Sequence, residues 1–211
     1  MSLVPSLCIT NLAMGVDIFG FSVVVSGAAC DLNIGIKETG ILLTVTFIGP
    51  ILMAYPWGYL SDTQGRRKSL LIALWTSFLM SFACAFSSNW QTMAVLKLLS
   101  TSFSSCAQST PYTFFGESCS RRFRDNYMLI IAGILDFSLA VYVVVAYFIL
   151  NMDFSYDLGY IVFTPWRLLT VLLSSLLGLG AFALLFFQES PKFLLNDGRH
   201  DEALNALTRI W

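Results

Sequence analysis

Six long apolar runs restrict the fold of this 211-residue chain more than any other feature. A helix needs about 20 apolar residues to cross a bilayer, and each of the six runs reaches or approaches that length. Since 56% of the residues are hydrophobic and only 12% are charged, a water-soluble domain would lack a polar surface. The sequence therefore predicts an all-α membrane protein, a six-helix bundle within residues 1–188 whose spans are 3–26, 39–60, 69–87, 91–114, 127–150 and 166–187.

The basic residues between these runs predict the orientation of the bundle. Nine of them fall on one side: Arg66, Arg67, Lys68, Arg121, Arg122, Arg124, Lys192, Arg199 and Arg209. The opposite side holds only Lys37 and Arg167. Because cytoplasmic loops carry the excess of Lys and Arg, both termini are expected in the cytoplasm. Composition does not distinguish the plasma membrane from a vesicle membrane.

The last 23 residues, 189–211, differ from the rest of the chain. Their apolar residues recur at helical spacing behind an acidic first turn, from Asp201 to Trp211. This pattern predicts the start of a cytoplasmic amphipathic helix.

A dense charge cluster lies between the second and third runs, in the segment GYLSDTQGRRKSLL. Gly58 is expected to allow close helix approach and Gly65 a tight turn. Asp62 is a fixed anion, and the cations after it hold the loop at the lipid headgroups. With its full spacing, the cluster resembles the signature between helices 2 and 3 of the major facilitator superfamily.

Three further segments extend the resemblance in the expected order. GESCSRRFRD places Glu117 seven residues before Arg124, as in the sugar-porter-like branch after helix 4. PWRLL opens the sixth run with the Trp-Arg pair of that branch, and ESPKFLL with GRHDEALNAL follows it. CDLNIGIKETGIL and ESPKFLL are most similar to synaptic vesicle glycoprotein 2-like and organic-ion-transporter-like members. One departure is Lys97, which stands where the family has a helix-4 arginine.

The resemblance implies a fold and a set of roles. Family transporters have twelve helices in two halves, and this chain is similar to the N-terminal half. Helices 1, 2, 4 and 5 would line the cavity, while 3 and 6 would be peripheral. The resemblance further implies a conformational latch at the cytoplasmic side, formed by Gly58, Asp62, Gly65, Arg66, Arg67, Glu117 and Arg124.

Three ionisable residues fall inside the apolar runs: Asp17, Lys97 and Asp136. Charged groups at this depth are costly and are candidates for function. Counted at 1.5 Å per residue from the outer helix ends, Lys97 and Asp17 lie at about 9 and 14 Å, and Asp136 at about 21 Å. We expect a Lys97–Asp17 pair, with Asp136 deeper as a cation or proton site. The alternative is that all three are packing residues that face water between helices.

Several functions remain open at this point. A secondary transporter for a small solute, leaning toward an organic ion, is the leading hypothesis, with its substrate and coupling ion unassigned. A half-length chain could instead be a non-transporting binding or regulatory partner, or form a homodimer of halves. No catalytic, phosphate-binding or metal-ligand spacing occurs, so neither an enzyme, a cofactor nor a metal is predicted. The net charge of −1 gives no reason to expect nucleic acid.

Overall fold

The computed structural model describes residues 3–118, 121–152, 154–157 and 162–185, with side chains at 9–108, 128–152, 154–156 and 162–185. Six α-helices account for most of these residues: α1 Leu3–Ala28, α2 Ile36–Gln64, α3 Arg66–Cys84, α4 Trp90–Ser118, α5 Arg121–Leu150 and α6 Pro165–Leu185. The predicted segment 189–211 lies outside the described residues.

Four of the helices are long and apolar enough to cross a membrane. They are α1 through Ile9–Ala28, α2 through Ile36–Gln64, α5 through Met128–Leu150 and α6 through Pro165–Leu185. Over the described residues α3 and α4 do not meet the same test, because basic residues open α3 and because α4 carries Lys97 among many Ser and Thr. Spanning by α3 and α4 stays a prediction.

The charge cluster between α2 and α3 is helical, and this corrects the expectation of a polar loop. Gly65 alone separates the two helices, with φ 96° and ψ 147°. A residue with a side chain is strained at such a positive φ, so glycine permits the reversal within one residue. Gly65 therefore makes the expected tight turn, while Asp62 belongs to the last turn of α2 and Arg66 begins α3.

The connection between α5 and α6 contains a short β-hairpin that the all-α prediction missed. Its strands are β1 Tyr156–Asp157 and β2 Val162–Phe163, which pair antiparallel. The ring of Phe154 stacks on Phe163 with centroids 6.5 Å apart. Two-residue strands carry too little alternation for a sequence pattern to reveal them.

Helix α1 packs against α2, α4, α5 and α6. Its glycines let α5 run close beside it. A β-carbon at Gly15 would lie 2.7 Å from Leu135, and one at Gly20 would lie 2.7 Å from the ring of Tyr142. Tyr142 also donates a hydrogen bond to the Gly20 carbonyl at 3.0 Å. Close approach of this kind supplies van der Waals contact, which drives helix association in lipid.

Two buried apolar clusters fill the bundle, one toward each end. We call the end that carries Arg66, Arg67 and Lys68 the basic end, and the other the far end. The cluster at the basic end includes Met14, Leu70, Leu74, Ala107, Leu177 and Leu184. The cluster at the far end includes Phe21, Val24, Leu42, Met93, Trp166 and Leu169. The functional candidates of α1 and α4 lie between them.

Candidate functional site: an ion pair between two apolar clusters

An ion pair joins α1 to α4 in the middle of the bundle. Lys97 Nζ lies 2.7 Å from Asp17 Oδ1 and 3.2 Å from the Asp17 backbone carbonyl oxygen. Asp17 is 0% exposed and Lys97 is 1% exposed. The predicted Lys97–Asp17 pair is therefore present in the structure. Each charge would be costly alone at this depth, and pairing with good geometry offsets part of that cost.

Apolar side chains close both sides of the pair along α1. Met14 precedes Asp17 by three residues and Phe21 follows it by four, so both share its face of the helix. Each is 1% exposed. The Lys97 ammonium lies 4.7 Å from the centroid of the Phe21 ring, within cation–π range. Phe21 is thus a contact of the site that the sequence did not mark, because one phenylalanine among many in an apolar run carries no charge or motif signal.

Helix α3 contributes the third side of the site. Ser81 donates a hydrogen bond to Asp17 Oδ1 at 3.3 Å. One turn toward the basic end, the hydroxyls of Ser77 and Ser100 lie 3.1 Å apart across the α3–α4 interface. The family pattern implied that α3 is peripheral. Its buried face completes the ion-pair site while its opposite face is exposed, so the position of α3 relative to the cavity stays a prediction.

The pair leaves one acceptor unused. Asp17 Oδ2 is buried and accepts no hydrogen bond from any residue that the structure describes. A buried carboxylate oxygen without a donor carries a desolvation cost. The site thus retains one unpaired acceptor oxygen beside the Lys97 ammonium.

Asp136 occupies a different environment from the pair. It lies near the middle of α5 and is exposed, on a face that includes the exposed small residues Ala132, Gly133 and Ala140. No side chain lies within 4 Å of a β-carbon placed at Gly133. A carboxylate at this depth is expected to face water or protein instead of lipid. No described residue therefore packs over the face of α5 around Asp136.

The proposed latch residues are only partly visible. Asp62 is exposed, and Arg67 Nη2 donates a hydrogen bond to the Leu185 carbonyl oxygen at 2.8 Å, which joins the start of α3 to the end of α6. Glu117 is in α4 and Arg124 in α5, but their side chains lie outside the described set. The latch stays a prediction.

Gly58 does not mark a close helix approach among the described residues, since nothing lies within 4 Å of a β-carbon at that position. Gly49 serves this purpose instead. A β-carbon at Gly49 would meet Thr101 Oγ1 at 2.6 Å and the Ser102 backbone nitrogen at 2.9 Å. Nearby, the indole of Trp57 donates to the Ser102 carbonyl oxygen at 2.9 Å. Spacing alone could not say which glycine of α2 faces α4.

The family is decided by comparison with known proteins. A family model described as Major Facilitator Superfamily matches residues 7–210. The chain belongs to the major facilitator superfamily. It is 30% identical over 205 residues to mouse synaptic vesicle glycoprotein 2C, which covers 94% of this chain and 28% of that protein. It is 26% identical over 208 residues to human synaptic vesicle glycoprotein 2A, covering 94% of this chain and 27% of that protein.

Solved structures share the fold of the chain. The proton:xylose symporter XylE bound to 6-bromo-6-deoxy-D-glucose superposes with a TM-score of 0.81 at 20% identity. That match covers 99% of this chain and 49% of XylE. A partially occluded inward-open structure of XylE from E. coli also gives a TM-score of 0.81. The chain is thus a multi-pass integral membrane protein of a transporter family, and it spans about half of XylE.

Proposed function

We propose that this chain forms one six-helix half of an alternating-access carrier for a small organic ion. The family membership and the fold support a transporter. The observation that carries the proposal is the Asp17–Lys97 pair, which lies between two apolar clusters and retains one unpaired carboxylate oxygen. A packing role alone would be met more cheaply by apolar residues of similar size.

The pair links charge to helix packing. While Asp17 is ionised, it holds Lys97 and thereby keeps α1 against α4. Neutralisation of Asp17 by a proton, or competition by a bound cation, would leave the Lys97 charge uncompensated inside the bundle. The packing of α1 against α4 would then weaken, which favours a second conformation. Such a two-state element is what an alternating-access carrier needs near the middle of the membrane.

Two of the exposed acids, Asp62 and Asp136, are the places where this half would meet a second half. Asp136 is proposed to line the shared cavity as a cation or proton site, because its face of α5 is uncovered here. Asp62 and Arg66 are proposed to form the latch at the basic end, where Asp62 would meet a helix N-terminus of the second half and Arg66 would meet Glu117 near the end of α4. The second half would be a further part of a longer protein or a second copy of this chain.

Uptake into proteoliposomes tests the proposal. The longest reading frame that contains this chain would be reconstituted and assayed with a panel of small organic cations and anions under an imposed proton gradient. We expect uptake by the wild type and at least about a tenfold loss in Asp17→Asn, the equivalent of about 1.4 kcal/mol in the transport barrier. Lys37→Gln serves as the control, since Lys37 is an exposed residue at the far end.

Two outcomes would contradict the proposal. One is unchanged uptake in Asp17→Asn that is correctly folded. The other is the absence of uptake for every solute in a folded wild type, which would favour a non-transporting binding or regulatory partner. A size measurement in detergent separates a monomer from a homodimer of halves.

A further inference from the structure

One face of α3 points away from the bundle and has a composition of its own. Its residues recur every three or four positions and therefore share one side of the helix. All are exposed, and they are Lys68, Ile72, Trp75, Leu79 and Phe82 of α3, with Phe86 two residues beyond the end of the helix. The opposite face of α3 holds the buried Ser77, Ser81 and Cys84. The outward face thus begins with one cation at the basic end and continues as apolar residues only.

The aromatic residues on this side of α3 form a continuous ladder. Ring centroids lie 5.9 Å apart for Trp75 and Phe78, 6.1 Å for Phe78 and Phe82, and 5.4 Å for Phe82 and Phe86. Phe78 is anchored on α6, where a β-carbon at Gly178 would lie 3.1 Å from its ring. Edge contacts between rings and this anchor hold the ladder in place.

Helix α6 runs antiparallel beside α3 and extends the apolar surface. The hydrogen bond from Arg67 to the Leu185 carbonyl oxygen joins the two helices at the basic end. On α6 the exposed side chains near that end are Leu179, Phe182 and Leu185. From Lys68 to Leu79 the distance along α3 is about 16 Å, close to half of the roughly 30 Å hydrocarbon core.

We propose that this face, formed by Lys68, Ile72, Trp75 and Leu79 on α3 with Phe182 and Leu185 on α6, binds one anionic phospholipid. Its phosphate would pair with the Lys68 ammonium, and an acyl chain would lie along Trp75 and Leu79. The charge of Lys68 selects an anionic headgroup over a zwitterionic one. The length of the face fits a lipid of a single leaflet. The proposal does not depend on transport by the chain.

The residue types of the face favour a lipid over a protein helix. Helices that associate in a membrane meet through small residues that let the backbones approach. The outward face of α3 instead carries Ile, Trp, Leu and Phe. The exposed face of α5 around Asp136 is mixed, because it combines the small residues Ala132, Gly133 and Ala140 with the large residues Leu129 and Val143. Large, branched and aromatic groups separated by grooves offer contact to a flexible chain.

Tryptophan fluorescence with brominated lipids tests this site. The protein would be reconstituted in phosphatidylcholine vesicles that contain a minor fraction of brominated phosphatidylserine or, separately, the same fraction of brominated phosphatidylcholine. The contribution of Trp75 is the difference between each protein and its Trp75→Phe counterpart. We expect the anionic lipid to be enriched about fivefold at Trp75, the factor that corresponds to one Lys beside an anionic headgroup. The brominated phosphatidylserine would then quench Trp75 more strongly.

The variants separate a specific site from general lipid contact. Lys68→Gln should abolish the excess quenching, Lys68→Arg should retain it, and Lys37→Gln should leave it unchanged. Equal quenching by the two brominated lipids would overturn the proposal and indicate ordinary annular lipid. Excess quenching that persists in Lys68→Gln would also overturn it. If neither brominated lipid quenched Trp75, protein would cover the face, and this result would also overturn the proposal. Retention of signal in Lys68→Arg shows that the site tolerates substitution.

Discussion

Asp17 and Asp136 are both carboxylates near the middle of apolar helices, yet they differ in burial and in bonding partners. Asp17 is 0% exposed and is bonded to Lys97 and Ser81. Asp136 is exposed on a face of α5 that nothing in the described chain covers. The first charge is paired through one of its two oxygens within the described bundle, and the second requires water or another protein surface. The described helices therefore supply a partner for Asp17 but none for Asp136.

The largest expected effect comes from breaking the buried pair. Lys97→Met would leave the Asp17 carboxylate without its cation in the apolar interior, and we expect a loss of about 3–5 kcal/mol in the free energy of unfolding. The double variant Asp17→Asn with Lys97→Met removes both charges and should recover most of that loss. Unfolding in detergent with a denaturant series measures both.

Lys37→Met is the matched control for the lysine substitution, since Lys37 is exposed at the start of α2. It should change the free energy of unfolding by less than about 0.5 kcal/mol. If Lys97→Met lowered the free energy of unfolding no more than Lys37→Met does, the Asp17–Lys97 pair would not stabilise the bundle as described.

A smaller effect should come from the two glycines on opposite faces of α2. Gly49→Ala places a methyl group 2.6 Å from Thr101 Oγ1 and 2.9 Å from the Ser102 backbone nitrogen, so α2 and α4 must separate. Overpacking of this kind costs about 1–3 kcal/mol. Gly58→Ala enters open space and should be neutral or slightly stabilising. Equal effects in a thermal unfolding series would show that the α2–α4 contact is not as close as described.

The smallest effect on stability is expected at Asp136. Because its side chain is exposed and bonds to no described residue, Asp136→Asn should change the free energy of unfolding by less than about 0.5 kcal/mol. Its effect should lie in transport. Asn does not titrate, so uptake that depends on protonation of Asp136 would lose that dependence on pH. An unchanged pH profile of uptake would remove Asp136 as a proton site.

The sequence was enough to predict the helices and the pair, and the reasons are physical. Length and apolarity mark a membrane helix strongly, so six runs predicted six helices whose ends moved by a few residues. Counting 1.5 Å per residue placed Asp17 and Lys97 at similar depth, which is why their pairing could be expected.

Other features depend on helix rotation, which periodicity does not reveal when a helix is apolar on every side. The contacts of Phe21 and Ser81 with the pair follow from how α1 faces α3 and α4, and no charge pattern marks them. Gly49 and Gly58 are both glycines of α2, and only packing shows which one meets α4. Similarly, the charge cluster at Asp62 and Arg66 looked like a loop because polar residues end a membrane run, whereas both helices continue through it to Gly65.

The difference between the closed site at Asp17 and the open face at Asp136 is tested most directly by measuring access to water at positions 81 and 136. Asp136→Cys and Ser81→Cys would each be made in a background whose five native cysteines are replaced by alanine. A membrane-impermeant thiol reagent would be applied to the reconstituted protein. We predict that Asp136→Cys reacts in the folded protein, and that Ser81→Cys, beside the Asp17 carboxylate, reacts only after unfolding. Equal rates, or faster reaction at position 81, would contradict a closed ion pair and an open α5 face.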